Sequence, residues 1–325
     1  MHFAMPPRKT SRPPPYAARN SNSVPIPYAL RNVMRRLTLR TVAIGTLGLL
    51  TVLWLLGWIG GRESGLQKPV IGTGAPVVIV TVLDIAASDD FKRHIRKNRE
   101  DYARKHGYLC FFPSSTDYPL RNAPASWAKV PAMRHAMTLH PTSTFFWYLD
   151  STALIMNPTV SLQSHVLAPS KLEKLMIVNE PVVPPDSVIK TFGNLKGDRI
   201  DLVVTQDKDG ISHSSFIIRN GEWAKYFLDA WFDPIYRSYN FQKAEQHALE
   251  HIVQWHGTIL AKLALIPQNL INSYASGPAN PKNGDFTDGD LVANFPGCGK
   301  ENGNCVEEMQ PFFDRLSGKG KKGDD

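Results

Sequence analysis

Cysteine is scarce in this chain of 325 residues, and acidic residues are missing from its first 41 positions. Three cysteines exclude a disulfide-dense secreted domain, and they exclude a four-ligand zinc site because the ligand spacing is absent. The chain also lacks any N-x-S/T glycosylation sequon and any G-x-S-x-G or H-E-x-x-H motif. The missing catalytic motifs disfavour a membrane hydrolase.

The basic excess is confined to one segment. The chain has 37 Lys and Arg against 29 Asp and Glu, a net charge of +8. Residues 1–41 hold eight of the basic residues, which leaves 29 basic and 29 acidic residues elsewhere. This neutral remainder disfavours nucleic-acid binding. The basic, proline-rich tail of residues 1–41 is predicted to be cytosolic and disordered.

An uncharged apolar run of 19 residues, 42–60, follows the basic tail. As a helix rising about 1.5 Å per residue it would be about 28 Å long, enough for a bilayer core. A cleaved signal peptide needs a shorter leading segment and an A-x-A site, and a buried core helix does not explain the one-sided basic block. We therefore expect a single transmembrane signal anchor, with the segment after it in the lumen.

The three cysteines occur in two kinds of sequence context, a flexible loop and an apolar run. Cys298 and Cys305 flank a flexible loop and could form a small disulfide in an oxidising lumen. Cys110 lies in the apolar run GYLCFF and is expected to be a buried thiol.

Strand and helix patterns alternate after a glycine-rich stem at 61–75. This alternation predicts an open α/β sheet, partly mixed, over residues 76–300, with a loose tail at 301–325. A helix is expected at 90–106, capped by Asp89 or Asp90 and ended by Gly107. Ser126 is expected to cap the next helix. Strands are predicted at 76–84, 108–112, 144–149, 201–205 and 215–219, and further helical stretches at 221–238 and 244–256.

Acidic residues follow three of the predicted strands, namely Asp84, Asp150 and Asp207. Ligands of open α/β sheets bind beyond the carboxyl ends of the strands. A carboxylate there can hold a divalent cation that bridges two phosphates. Each residue alone also fits a helix cap or a turn, but together, in a lumenal protein, they indicate a nucleotide-sugar site.

The residues around Asp150 carry a family resemblance. The segment FFWYLDSTALIMNP resembles a fungal and plant family of retaining glycosyltransferases. That family includes α-galactosyltransferases, xyloglucan xylosyltransferases and the α-1,6-mannosyltransferase subunits of the fungal mannan polymerase complex. The similarity runs in order from about residue 76 to 300. It also includes Asn98–Tyr102, His106–Tyr108, Trp127, Lys129, Thr205–Asp207, Ser215–Asn220, Glu245, Gln246, Gly289, Asp290 and Phe295–Cys298.

The resemblance implies a fold, an activity and a location. The fold would be a GT-A type open, mostly parallel twisted sheet flanked by helices. The donor would be GDP-mannose with Mn²⁺, and mannose would pass in α-1,6 linkage to a mannan or N-glycan outer-chain acceptor. The protein would lie in the Golgi membrane beside other mannosyltransferase subunits. Two alternatives stay open: a UDP-galactose α-galactosyltransferase, and a divergent, weakly active or non-catalytic subunit.

Two departures from the family pattern affect the implied metal site. The second Asp of D-x-D is Thr152, and the His of the closing motif is Asn294. Metal ligands in related enzymes occupy both positions. A hydroxyl and an amide oxygen bring neither negative charge nor imidazole, so we expect metal affinity to fall by at least about 10–100-fold.

The resemblance also implies roles for individual residues. Asp150 would be the surviving metal carboxylate, with Thr152 and Asn294 as weaker ligands. Asp207, Gln206 and Glu245 are the predicted catalytic residues, acting near the anomeric carbon or orienting sugar hydroxyls. The predicted donor-binding residues are Asp84, Asn98, Tyr102, Trp127, Lys129, Ser151, Arg219, Gly297 and Lys300.

Overall fold

The structure is a computed structural model that describes residues 46–48, 50–52, 74–184, 187–239, 241–298 and 304–318. The chain divides into two compact units, Met1–Lys68 and Pro69–Asp325. Residues 46–48 and 50–52 of the first unit are helical. Within the described ranges, no helix has the length and apolar character that crossing a membrane requires. The predicted tail, most of the predicted anchor and most of the predicted stem lie outside the described residues.

Strands of the second unit form two sheets. The larger has the order β2-β1-β3-β6-β5-β7, and β6 alone of these six runs antiparallel to its neighbours. The predicted mostly parallel α/β sheet is therefore confirmed. The strands are β1 (Val77–Val80), β2 (Leu109–Phe111), β3 (Phe145–Leu149), β4 (Ala153–Ile155), β5 (Leu202–Gln206), β6 (Ile211–Arg219), β7 (Leu263–Ile266), β8 (Ser273–Tyr274) and β9 (Val292–Asn294).

The smaller sheet has the order β4-β9-β8, and the sequence did not predict its strands. Each has only two or three residues, too few for a recognisable alternation of apolar and polar side chains. The pairing of β4 with β9 places Ala153 opposite Asn294. This pairing brings the closing segment of the chain to the turn that follows β3.

Helices cover both faces of the larger sheet. They are α1 (Asp89–His106), α2 (Lys129–Leu139), α3 (Pro169–Leu175), α4 (Glu222–Trp231), α5 (Pro234–Ser238), α6 (Ala244–Trp255), α7 (Gly257–Leu260) and α8 (Cys305–Leu316). Short 3₁₀ turns lie at Ser115–Asp117, Ala125–Ala128, Gly197–Arg199 and Gln268–Leu270, and a π turn lies at Gln163–Leu167.

The core lies in layers on the two faces of the sheet. Val78 and Val80 point to the face that packs against α2, α4 and α6. Val77 and Ile79 point to the opposite face, against α1 and α3. All four side chains of β1 are fully buried, as expected for a parallel strand covered on both sides. Each such side chain contributes about 1.5–3 kcal/mol through burial.

The predicted cap of α1 is wrong, and one predicted helix is divided. The hydroxyl of Ser88, rather than Asp89 or Asp90, accepts the Phe91 N–H at the start of α1. Gly107 ends α1 as predicted, in the left-handed conformation at φ 69°. The predicted helix at 221–238 divides at Asp233, which caps α5, because the proline after it cannot donate a backbone hydrogen bond.

The predicted loose tail contains an ordered helix, α8. Its Met309 is fully buried and packs with Phe295 and Ile95 in a third apolar cluster. Cys305, at the start of α8, forms a disulfide with Cys298, as the sequence suggested. The amphipathic pattern of CVEEMQPFFDRL therefore outweighs the glycine- and lysine-rich context that predicted a loose segment.

Candidate active site

Two of the three predicted strand-end carboxylates, Asp84 and Asp150, meet at one pocket. Asp84 lies beyond β1 and Asp150 directly follows β3, and these parallel neighbours share one edge of the sheet. The pocket has a volume of about 190 Å³. Sites that enclose drug-sized ligands have volumes of about 300–1,000 Å³, so this pocket is too small to enclose such a ligand completely. It is lined by Val82, Asp84, Ser115, Ala125, Ser126, Lys129, Tyr148, Asp150 and Ser151.

A charged cluster around two buried residues, Lys129 and Glu245, forms the floor of this pocket. We define the charged cluster as Ser126, Lys129, Asp150, His213 and Glu245, which come from four separate segments of the chain. The ammonium of Lys129 lies 3.0 Å from Glu245 Oε1, 2.5 Å from His213 Nδ1 and 4.0 Å from Asp150 Oδ2. Ser126 donates its hydroxyl hydrogen to Glu245 Oε2 at 2.7 Å, which replaces its predicted role as a helix cap.

The charge states inside the cluster follow from burial and from Lys129. Burial alone would raise the pKa of Glu245, but Lys129, His213 and Ser126 outweigh it and hold the pKa at about 2. Burial and the neighbouring Lys129 ammonium lower the pKa of His213 to about 4. At neutral pH, Glu245 is therefore an anion and His213 a neutral imidazole whose Nδ1 accepts a hydrogen bond from Lys129.

A buried arginine holds the D-S-T turn in place. Arg99 donates from Nη2 to the carbonyl oxygens of Asp150 and Ala153 at 2.8 and 2.5 Å. Burial lowers the pKa of Arg99 to about 9, so the guanidinium stays charged at neutral pH. Asn98 pairs with the backbone of Ile155 through two hydrogen bonds of 2.9 Å. The sequence missed Arg99 because its contacts lie 51 and 54 residues away.

A hydrogen-bonded network of amides and hydroxyls, which ends at one carboxylate, lies beside the charged cluster. Asn294 donates to Ser214 Oγ and to Asn272 Oδ1, both at 2.8 Å. Thr152 donates to Asn294 Oδ1 at 3.1 Å. Asn272 donates to Ser212 Oγ at 2.9 Å, which continues the network. We define the Asn294 network as Thr152, Asp207, Ser212, Ser214, Asn272, Tyr274 and Asn294.

The far end of this network is Asp207, a predicted catalytic residue. Tyr274 contacts Ser212 at 3.1 Å and donates to Asp207 Oδ2 at 2.8 Å. The other carboxylate oxygen, Oδ1, accepts the N–H groups of Asp209 and Gly210 at 2.8 and 3.0 Å. Burial raises the pKa of Asp207. The structure therefore uses Asp207 to close the β5–β6 turn, and Asp207 does not line the pocket.

Gln206 also departs from its predicted catalytic role. Its amide nitrogen donates to the carbonyl oxygens of Pro181 and Val182 at 2.7 and 2.8 Å, which ties a loop to β5. Of the three predicted catalytic residues, Glu245 alone belongs to the charged cluster.

Several predicted donor-binding residues have structural roles away from the pocket. Tyr102 donates to Val160 O at 2.9 Å, and Trp127 is buried in the core. Arg219 pairs with Phe145 at the opposite end of β3 from Asp150, and its guanidinium holds the carbonyl oxygens of Gly197 and Asp198. The structure therefore places these three side chains away from the pocket.

The remaining predicted contacts divide into two groups. Asp84, Lys129 and Ser151 line the pocket, where a donor contact stays a prediction. Gly297 lies in the turn after β9 at φ 84°, and Lys300 lies outside the described residues.

The predicted Mn²⁺ ligands do not form an open donor set. Asn294 is fully buried, and its amide oxygen already accepts two hydrogen bonds, from Thr152 and from the Phe295 N–H at 2.8 Å. Asp150 is the only one of the three predicted ligands that carries a negative charge. No group of three or more His, Cys, Asp or Glu suited to a metal occurs within the described part of the chain.

The sequence also missed His213, Asn272 and Tyr274. His213 lies between Ser212 and Ser214 on β6, and it contacts Lys129 whereas both serines join the Asn294 network. The predicted strand at 215–219 began too late to include these residues, and alternation along β6 separates His213 from the two serines. No local pattern marks Asn272 and Tyr274, since their partners lie 22 to 67 residues away.

A family model and several known proteins are similar to this chain. The galactosyl transferase GMA12/MNN10 family matches residues 74–305. An uncharacterized alpha-1,2-galactosyltransferase of Schizosaccharomyces pombe is 34% identical over 203 residues, which are 62% of this chain and 62% of that protein. The probable alpha-1,6-mannosyltransferase MNN11 of Saccharomyces cerevisiae is 31% identical over 263 residues, 74% of this chain and 62% of the relative.

A solved structure is similar at lower identity. It is a glycosyltransferase involved in the glycosylation of the major capsid of PBCV-1, with a TM-score of 0.49 and 11% identity over 73% of this chain and 98% of that one. The chain spans about 62% of the length of the first curated relative.

Proposed function

This chain belongs to the galactosyl transferase GMA12/MNN10 family, and we propose that it moves mannose from GDP-mannose to a mannan or N-glycan outer-chain acceptor in α-1,6 linkage, with retention at the anomeric carbon. It is a glycosyltransferase. The observation that carries the proposal is the buried ammonium of Lys129 at the floor of a pocket that also presents Asp84, Asp150 and Ser151.

Lys129 is suited to stabilise the leaving group. Negative charge grows on the diphosphate as the bond to the sugar breaks, and a fixed ammonium in a dry site stabilises that charge. Lys129 is 3% exposed, and it is the one cation among the nine described residues that line the pocket. Glu245 and His213 contact the Lys129 ammonium and fix its position, so the ammonium needs little reorganisation when a donor binds.

The carboxylates of the pocket are suited to bind hydroxyl groups of the donor. Asp150 and Asp84 accept hydrogen bonds, and Ser151 both donates and accepts. The hydrogen bond from Arg99 to the carbonyl oxygen of Asp150 fixes the backbone of this turn, which limits the positions of the Asp150 carboxylate. No step in this proposal passes through Mn²⁺, since the predicted ligand set does not fit it. The sheet, with its site beyond β1 and β3, is proposed to be of the GT-A type.

A second donor, UDP-galactose, is favoured by a specific observation. The probable alpha-1,2-galactosyltransferase gmh2 of Schizosaccharomyces pombe is 32% identical over 230 residues, 67% of this chain and 63% of the relative. This identity is similar to that of the mannosyltransferase relative, so both donors enter the test.

The test is transfer by the full-length chain in a mild detergent. GDP-mannose and UDP-galactose are each supplied with an α-mannoside oligosaccharide, and the products are weighed by mass spectrometry. We expect a mannose adduct. Asp150→Asn should lower the rate about 10–100-fold, the loss of about 1.5–3 kcal/mol for a charged hydrogen bond. Asp229→Asn, on the exposed side of α4, is the matched control.

The outcomes separate the candidates. A galactose adduct alone would replace GDP-mannose by UDP-galactose. The absence of any adduct, with no donor binding by calorimetry, would favour a non-catalytic subunit that assists another mannosyltransferase.

We further propose that residues 42–60 anchor the protein in the Golgi membrane with residues 61–325 in the lumen. The basic block before residue 42 supports this orientation, and the Cys298–Cys305 disulfide is of the kind that an oxidising compartment preserves. The partners would be other mannosyltransferase subunits.

The orientation is tested by protease protection. Protease added to sealed vesicles should spare a C-terminal tag and remove an N-terminal one. Loss of the C-terminal tag would contradict this orientation.

A further inference from the structure

The position predicted for a metal ligand on β9 is already fully bonded to protein. An amide side chain has two N–H donors and an oxygen with two lone pairs. Asn294 donates to Ser214 and Asn272, and it accepts from Thr152 and the Phe295 N–H. All four of its hydrogen-bonding positions are used, and the residue is fully buried.

One of these bonds, from Asn294 to Ser214 Oγ, joins the smaller sheet to the larger one, and Thr152 holds the amide that makes it. Thr152 lies in the turn between β3 and β4, and Ser214 belongs to β6 of the larger sheet. Asn294 is the last residue of β9 in the smaller sheet, and Asn272 directly precedes β8 of the same sheet. The backbone N–H of Phe295 also donates to Thr152 O at 3.0 Å, so a main-chain bond accompanies the side-chain bond.

The chemistry of these groups disfavours a cation. Divalent ions such as Mn²⁺ and Mg²⁺ prefer carboxylate and other oxygen ligands with free lone pairs. To coordinate through the Asn294 amide oxygen, an ion would have to displace the hydrogen bond from Thr152 or the one from the Phe295 N–H in a buried site. The Phe295 N–H would keep Thr152 O as an acceptor, whereas the Thr152 hydroxyl would lose its partner on Asn294. Thr152 would bring only a neutral hydroxyl.

We infer that Thr152 and Asn294 form a structural latch between the two sheets, and that this chain has no resident divalent cation at that position. A cation that approaches the pocket meets Asp150 without help from the other two predicted ligands. The inference concerns cation binding by the protein itself, so it holds or fails independently of which sugar is transferred.

The test uses Thr152→Val, which removes the hydroxyl and keeps the shape of the side chain. Binding of Mn²⁺ to the full-length chain is followed by the electron paramagnetic resonance signal of the free ion, without nucleotide. Thermal unfolding is recorded in Mn²⁺ and in EDTA. Thr138→Val, at an exposed position on α2, is the matched control.

A structural role and a metal-ligand role of Thr152 predict opposite results. For a latch, Thr152→Val binds Mn²⁺ as the parent chain does, and its Tm falls by about 2–4 °C more than that of the control. The Tm of the parent chain is then the same in Mn²⁺ and in EDTA. A fall in Mn²⁺ affinity of about tenfold or more in Thr152→Val, with its Tm in EDTA unchanged, would overturn the inference.

Discussion

The charged cluster and the Asn294 network are neighbours that satisfy their polar groups in different ways. His213 of the cluster lies between Ser212 and Ser214 of the network, and Asp150 is two residues from Thr152. The cluster surrounds one ammonium with carboxylates and an imidazole, whereas the network joins amides and hydroxyls and reaches a single carboxylate at Asp207.

The difference separates a site that can act on a ligand from one that stabilises the fold. The side-chain amides of Asn272 and Asn294 pair with other members of the network, with Thr205 and with the Phe295 N–H, so none of their groups is left for a ligand. In the cluster, Lys129 and Asp150 both line the pocket and can exchange part of their bonding for substrate. Spare hydrogen-bonding capacity at a pocket, rather than polarity alone, marks the candidate active site.

The largest effect is expected for Lys129→Met, which breaks the cluster. It leaves Glu245 buried at 2% exposure without its cation. An unpaired buried charge costs about 3–5 kcal/mol. Urea unfolding measures the loss. Glu245→Gln in the Lys129→Met background should restore part of it, because the unpaired charge is then gone.

The matched control is Lys225→Met, which removes an exposed lysine that pairs with Glu222 on the surface of α4. Surface pairs of this kind contribute about 0–1 kcal/mol. Equal losses in the two variants would mean that Lys129 is not a buried partner of Glu245, and the comparison would fail.

Much of the fold follows from the sequence, because local patterns determine it. The β-branched run of β1 and the amphipathic α1 with its glycine stop were predicted from their own residues. The small sheet was not predicted, since β4 and β9 pair across about 140 residues. A pairing between residues so far apart in the sequence produces no local pattern that a segment of about ten residues would reveal.

The site was predicted in part, for a related reason. Asp150, Lys129 and Glu245 were identified from the motif and its resemblance, and the structure brings them together. Arg219 and Gln206 lie in similar motif segments, but the register of β6 places Arg219 at the wrong end of the sheet, and the amide of Gln206 is bonded to a loop. A motif records which residues occur together, and strand register decides which of them face the pocket.

A smaller effect is expected when the network loses its central amide. Asn272→Ala leaves Ser212, Ser214 and Asn294 short of partners in a fully buried site. Each unsatisfied buried group costs about 1–3 kcal/mol, and partial rearrangement limits the total to about 2–3 kcal/mol. Chemical unfolding measures it. Asn122→Ala, on an exposed turn, should stay within about 0.5 kcal/mol; a similar loss there would remove the distinction between the network and the surface.

The smallest effect compares two buried carboxylates on one helix. Glu245 has Lys129 as a partner, whereas Glu250 accepts only the Ile211 N–H and the Gln246 amide, each at 3.2 Å. Burial raises the pKa of Glu250 from 4.5 to about 7. The folded chain therefore binds more protons than the unfolded chain between these values, so this group favours folding below pH 4.5 and loses that contribution as the pH rises towards 7.

Glu250→Gln should consequently become more stable than the parent chain as the pH rises from about 4.5 to 7. The gain should reach about 1–3 kcal/mol at pH 8, because a neutral amide replaces a buried anion. Glu245→Gln should have the opposite sign at pH 7, since it removes the partner of Lys129. Urea unfolding at several pH values measures both variants. If both variants lost stability at pH 8, a cation partner would not be what distinguishes Glu245 from Glu250, and the contrast between paired and unpaired buried charge would not extend along α6.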